Sequence, residues 1–238
     1  MILLANGCSW TFGSFDEWTD HVAAHRQQWL WPYFLAERMG YEQSVNLAEG
    51  CGSNQRIIRT TFDWLAEQTA DTLKETVAVI QLTDVARYEY YQPKDSGDPK
   101  ENIDHRWARV KAGLVLQEQE NQQRANQRND LRLETLTPQE ESYHWLTTVL
   151  SLDSMFRHFG VEYYLWSYTN VYFNYLEPAA NFYTSDRFPW LHKEEYDLHY
   201  GRWQYQRVSA QDQHPSLVQG HRELAEILHQ NILRVRNK

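Results

Sequence analysis

Ser9 is the residue at which chemistry could begin. It follows Ile2-Leu3-Leu4-Ala5-Asn6-Gly7-Cys8, a short apolar run that breaks at Gly7. Such a run reads as a buried strand, and the break puts a small nucleophile at the strand's end. At the far end of the chain, Asp212-Gln213-His214-Pro215 supplies an acid and an imidazole ahead of a predicted helix. Hydroxyl, imidazole and carboxylate are the parts of a hydrolytic triad, whose chain order differs from fold to fold. Each part has a plain alternative. A serine at a strand end is commonly a turn or cap, and Asp-x-His-Pro alone reads as a helix entry capped by the aspartate.

The elements that would position these groups alternate in type. After a first strand near 2–6 and a polar, aromatic loop over 14–27, the spacing predicts a helix over 29–39, with Leu30, Phe34 and Leu35 on one face and Gly40 as its stop. A short strand follows at 44–48, then the turn Glu49-Gly50-Cys51-Gly52-Ser53-Asn54, then a helix over 55–68. Residues 76–82, Thr-Val-Ala-Val-Ile-Gln-Leu, form a continuous apolar run and read as a central parallel strand. A polar stretch at about 88–140 reads as an insertion, a lid or an oligomer contact, with one or two surface helices over 106–136. A helix at 142–159, a strand at 161–166, an irregular aromatic segment at 170–205 and a helix from 215 onward complete the chain. Strand and helix in alternation predict one α/β domain over 1–238, with helices on both faces of a parallel sheet.

Composition narrows the function. A net charge of −9 offers no long-range attraction to phosphate backbones, so nucleic acid is not an expected partner. No apolar run reaches the roughly 20 residues of a membrane span, and the N-terminal run is shorter than a signal peptide's apolar region. A cytoplasmic location is therefore expected, and Cys8 and Cys51 suit a reducing compartment. Ten Trp and fifteen Tyr are either large core residues or rings lining a carbohydrate cleft. His21 and His25 share helical spacing, but they lack a third ligand and read as a solvated face. His192 and His199 show no metal spacing, so no metal or cofactor is expected.

In a parallel sheet, ligands bind beyond the carboxyl ends of the strands. Gly7–Ser9, Gly50–Asn54 and Gln81–Asp84 each follow such an end, and Asp212–His214 would join them at the same rim. These segments resemble the SGNH hydrolases, also called GDSL-type esterases and lipases. Gly7-Cys8-Ser9-Trp10-Thr11 is similar to the family's first block, and Asn46-Leu47-Ala48-Glu49-Gly50-Cys51-Gly52-Ser53-Asn54 to its second. Gln81-Leu82-Thr83-Asp84 stands in place of the third, and Asp212-Gln213-His214-Pro215-Ser216 with Gly220-His221 resembles the last.

The resemblance implies a flavodoxin-like three-layer α/β/α sandwich with a central parallel sheet of about five strands. It also implies Ser9 as nucleophile, His214 as base, Asp212 as triad acid, and an oxyanion hole from Ser9, Cys51 or Gly52, and Thr83. There are departures from the family pattern. Cys8 stands where the family has aspartate, Thr83 where it has asparagine, and Gln211 where the acid usually lies, three residues before the histidine. Gln81 or Asn54 are further candidates for the missing amide donor.

Trp10, beside the nucleophile, is either a pocket wall or core. Arg87 is either a contact for a substrate anion or a surface ion pair, and Asn54 is a candidate substrate contact. The expected activity is hydrolysis of an ester, foremost a small acyl group such as acetyl on a carbohydrate. The partner would then be a small-molecule or glycan ester. The rivals are an acyltransferase using the same pair and a non-catalytic binding protein on a degenerate hydrolase fold. Short hydrolases of this look also occur in phage particles.

Overall fold

The computed structural model describes residues 1–13, 26–50, 52–83, 85, 87–91, 107–111, 114–115, 137–167, 189, 191, 215 and 217–237. Four strands form a parallel sheet: β1 (Ile2–Asn6), β2 (Gln43–Asn46), β3 (Thr76–Leu82) and β7 (Glu162–Ser167), in the order β2-β1-β3-β7. Register is continuous across it, with Ala5 beside Asn46 and Val79, and Gln81 beside Trp166. Beyond β7, Leu165 donates its N–H to the Pro189 carbonyl (3.0 Å) and accepts from the Leu191 N–H (2.9 Å). That two-bond pattern is how a further parallel strand would attach, in keeping with a sheet of about five.

Helices cover both faces, because alternate residues of each strand point to opposite sides. On one face Leu4, Ala78, Ile80, Leu82 and Leu165 pack with Ile57 and Leu65 of α3 (Asn54–Ala66) and Trp145, Val149, Leu152 and Phe156 of α5 (Pro138–Phe159). On the other, Leu3, Ala5, Val77, Val79, Tyr164 and Trp166 pack with Trp31 and Leu35 of α2 (Trp31–Met39) and Leu224, Ala225 and Leu228 of α6 (Leu217–Arg236). The arrangement is the expected three-layer α/β/α sandwich. All seven residues of β3 are buried, which is why that strand reads as one apolar run rather than an alternation.

Helix starts differ from the periodicity by a few residues, for chemical reasons. Residues Arg26–Trp29 form a 3₁₀ turn before α2, which begins at Trp31. Its first N–H is capped from a distance, since Trp31 N donates to Nδ1 of the buried His221 on α6 (3.2 Å). Helix α5 starts at Pro138 rather than at 142, because Thr137 and Glu140 form a reciprocal capping box with proline in the first turn. A short helix α4 (Ala70–Lys74), absent from the periodicity, is capped by Thr69.

The described part of the insertion differs from the helices expected there. Within 106–136, where surface helices were expected, the described residues are β5 (Trp107–Lys111) and β6 (Leu114–Val115). These pair antiparallel with each other, and β5 pairs with β4 (Tyr88–Tyr91). Ala-Arg-Val-Lys, 108–111, alternates in polarity over too few residues to fill a helical stripe. The sheet is tied to the sandwich by Arg59 of α3, which grips the buried Glu89 carboxylate of β4 with two nitrogens (3.0 and 3.2 Å). No helix among the described residues is long and apolar enough to cross a membrane.

Two polar clamps fasten the last strand. On one face Tyr163 donates to Asp153 of α5, which also accepts from Arg157 (2.7 Å). Burial and then the Asp153 bond push the Tyr163 phenol above its ordinary range, so it remains a donor. On the other face Tyr164 donates to Glu162, and Arg236 of α6 reaches Glu162 (2.8 Å) and Tyr41 (2.9 Å). Burial alone would raise the Glu162 carboxyl, but the bonds from Arg236 and Tyr164 outweigh it and hold it low.

A carboxyl lowered by folding stabilises the fold above its unfolded value, and that contribution fades as pH falls. Glu162→Gln is therefore expected to cost no more than about 1 kcal/mol in urea unfolding near neutral pH, because the pair is partly exposed. The difference from the parent should shrink as pH drops below about 4, the ordinary glutamate range.

Candidate active site

The strand order locates the site before any side chain is considered. From β1 the chain goes to β2 on one side and then to β3 on the other, so the connections diverge at the carboxyl ends of β1 and β3. That divergence is where sheets of this order bind ligands. Ser9 lies just past β1 and Thr83 just past β3, one on each side of the switch.

Ser9 opens a single-turn helix α1 (Ser9–Phe12), closed by Gly13 in the left-handed region (φ 73°) with its N–H on the Ser9 carbonyl. The serine is buried, and its hydroxyl donates toward Cys8 Sγ at 3.9 Å. Sulfur is a weak acceptor, so among the described residues little ties this hydroxyl down. The backbone around it is held firmly. Asn6 Oδ1 accepts from Gly7 N (2.8 Å), while Asn6 Nδ2 donates to Ile57 O, Thr60 Oγ1 and Thr61 Oγ1 on α3. Asn46 at the end of β2 donates to the Thr11 carbonyl (2.8 Å) and accepts from Ala48 N (3.0 Å). Gln81 Oε1 accepts from Thr11 Oγ1 (2.6 Å) and Cys8 N (3.3 Å).

The second loop lies directly against this turn. A methyl placed on Gly52 would stand 3.0 Å from the Gly7 carbonyl oxygen, 3.1 Å from that of Glu49 and 3.8 Å from Cys8 Cα. Glycine is needed there because two backbones approach closely. Arg56 anchors the loop by donating to Leu47 O (2.9 Å), with Glu49 3.8 Å away, and Ser53 caps α3 by accepting from Arg56 N (3.1 Å).

Asn54 is engaged at both ends. Its Oδ1 accepts from Thr83 N and its Nδ2 donates to Thr83 O, each at 2.9 Å. The amide thus acts as a one-residue strand partner that fixes Thr83 beyond the end of β3. The Thr83 hydroxyl is fully buried and has no hydrogen-bond partner among the described residues.

Ser9, Gly52, Asn54 and Thr83 therefore share one rim, with Gly52 against the Ser9 turn and Asn54 bonded to Thr83. Trp10 packs into the core with Leu3, Trp31 and Phe34. Arg87 is buried rather than on the surface. Cys51, Asp84, Asp212 and His214 lie outside the described residues, as do His21, His25 and the 170–205 segment apart from Pro189 and Leu191. Asn6 and Asn46 carry roles that sequence reasoning did not assign. For Asn6 the available signal was an asparagine as the last residue of a predicted strand, where a side-chain amide can replace a lost ladder partner. Asn46 instead fell in the middle of the predicted strand 44–48 and ends β2 only in the structure. No group of three or more potential metal ligands occurs among the described residues.

The fold defined by this sandwich is that of the G-D-S-L lipolytic proteins. A member of the lipolytic protein G-D-S-L family from Veillonella parvula DSM 2008 superposes with a TM-score of 0.51 at 11% identity, covering 100% of this chain and 98% of the other. TesA gives 0.53 at 13% identity with 99% of each chain covered. A G-D-S-L family protein from Desulfitobacterium hafniense DCB-2 gives 0.51 at 15% identity, over 97% of this chain and 98% of that one. By sequence, the chain belongs to the family of unknown function DUF6071, whose model matches residues 16–213. That stretch begins after Ser9 and ends one residue before His214. No curated protein matches the chain.

The close approaches rank two substitutions. In Gly7→Ala the new methyl would meet Thr11 Oγ1 at 2.5 Å and Gln81 Oε1 at 2.6 Å, whereas in Gly52→Ala it meets carbonyls at 3.0 and 3.1 Å. Overpacking of this kind costs about 1–3 kcal/mol, and Gly7→Ala is expected at the upper end and Gly52→Ala at the lower in urea unfolding.

Proposed function

We propose that the protein is a serine ester hydrolase in which Ser9 is the nucleophile. The observation that carries this is the position of Ser9. It sits at the switch between β1 and β3, the backbone of its neighbours Gly7, Cys8 and Thr11 pinned by three side-chain amides and its hydroxyl bonded, among the described residues, to a thiol alone. A nucleophile needs that combination, with fixed geometry and an oxygen free to lose its proton. The lipolytic character of the structural neighbours supports the same reaction class.

In this mechanism His214 takes the Ser9 proton as Oγ attacks the ester carbonyl carbon. The tetrahedral oxyanion is held by backbone N–H groups of Ser9 and Cys51, because the Gly52 N–H is already donated to the Glu49 carbonyl (3.0 Å), with the Thr83 hydroxyl in the place of the missing amide. Collapse breaks the bond to the alcohol, which leaves with the proton from His214. Water, deprotonated by the same imidazole, then attacks the acyl-enzyme and releases the acid. Asp212 fixes the imidazole tautomer and stabilises its charged form.

Thr83 suits its role because Asn54 holds its backbone while its buried hydroxyl has no other partner among the described residues. The substrate class proposed is a small acyl ester, foremost an acetylated carbohydrate held by aromatic side chains.

A fluorophosphonate probe is expected to add one phosphonyl group to Ser9, read by peptide mass spectrometry, and to leave Ser9→Ala unmodified. The same substitution should abolish p-nitrophenyl acetate hydrolysis. An unlabelled parent protein would show a binding protein on a hydrolase fold instead. Thr83→Val should lower kcat by about 10²-fold with little change in KM, as loss of one oxyanion donor does.

A further inference from the structure

We infer that Gln81 is a positioning residue for the nucleophile, acting through its side-chain oxygen on both sides of Ser9; this rests on the reading of Ser9 given above. Gln81 is the penultimate residue of β3, in register with Trp166, and is fully buried. Alternation puts it on the same sheet face as Val77 and Val79, and there its side chain meets α1. Oε1 accepts from the Cys8 backbone N–H, one residue before Ser9, and from the Thr11 hydroxyl, two residues after it. The Cys8 N–H can only donate, so the amide oxygen must be the atom facing it. One fixed acceptor thereby braces the single helical turn that begins at Ser9. Gly7 permits the approach: a methyl there would stand 2.8 Å from Gln81 Cβ.

Stability alone does not account for this glutamine. Every other residue of β3 after Thr76 is apolar, and an apolar side chain would fill the same space without burying an amide. The Gln81 Nε2 group is buried and has no partner among the described residues, so the amide is only half compensated. What the residue contributes is the placement of α1. The Ser9 hydroxyl, whose one bond among the described residues is to Cys8 Sγ, takes its position from that turn.

The test compares fluorophosphonate labelling of Ser9 in the full chain, resolved into probe affinity and maximal rate. Gln81→Met keeps the volume but cannot accept either bond, and the maximal rate is expected to fall by about 10- to 100-fold with affinity unchanged. Gln81→Glu restores an acceptor. At about pH 5.5, where a buried carboxyl is protonated, it also restores a donor, and its rate should return to within about threefold of the parent. A Gln81→Met rate equal to the parent's overturns the inference, as does a Gln81→Glu rate no better than that of Gln81→Met.

Should Gln81→Met fail to fold, Thr11→Val removes one of the two bonds without changing side-chain shape. A drop in maximal rate alone is then expected, and an unchanged rate overturns the inference. Failure of the parent protein itself to label overturns the nucleophile assignment, and the role of Gln81 falls with it.

Discussion

Where a parallel sheet ends, backbone N–H and C=O groups lose their ladder partners, and leaving them unpaired in a buried place is costly. In this protein side-chain amides take over that task at the carboxyl end of the sheet. Asn6 holds Gly7 and reaches across to α3; Asn46 joins β2 to α1; Asn54 brackets Thr83; Gln81 braces Cys8 and Thr11. Each amide carries both a donor and an acceptor, so each can bridge two backbone segments that run in different directions. The loops after β1, β2 and β3 are thus built as one polar lattice rather than as separate turns.

The lattice explains why this rim is polar inside an otherwise apolar sandwich. The two core layers on either face of the sheet are made of aliphatic and aromatic side chains. At the rim, buried Asn6, Thr11, Asn54, Gln81 and Thr83 replace them. Such a network is rigid when satisfied, because moving one segment breaks bonds to another. Two groups without partners among the described residues, the Thr83 hydroxyl and Gln81 Nε2, stand on either side of Leu82 at the end of β3. Glycine enters for a related reason. Gly52 lets the second loop come within backbone contact of the turn that carries Ser9, and Gly7 makes room for Gln81 and Thr11 beside it.

Much of the architecture was legible in the sequence. The seven-residue run at 76–82 announced a strand buried on both faces, and the structure gives Thr76–Leu82. The helices with strong periodicity fell close to their expected positions, with boundaries shifted by caps. The His221 cap on α2 was hidden, since donor and acceptor lie 190 residues apart. The antiparallel strands within 107–115 were missed because a short alternating segment carries little periodic signal, and what stabilises it is pairing with another strand. Asn54 shows the same limit at the candidate site. Its residue type suggested a substrate contact, yet its amide is committed to the Thr83 backbone.

The sequence by itself determined the alternation of elements, the apolar strands and the placing of Ser9, Gly52 and Thr83 just past strand ends. Those are local matters of hydrophobic period and turn residues, which act between near neighbours in the chain. The tertiary structure alone decided the strand order β2-β1-β3-β7, and with it which two loops face one another. It also decided which polar side chains are spent in holding backbone and which keep an unpaired group. Both outcomes depend on contacts between residues about 30 to 75 positions apart, such as Asn54 with Thr83 and Gln81 with Cys8, which no local pattern encodes.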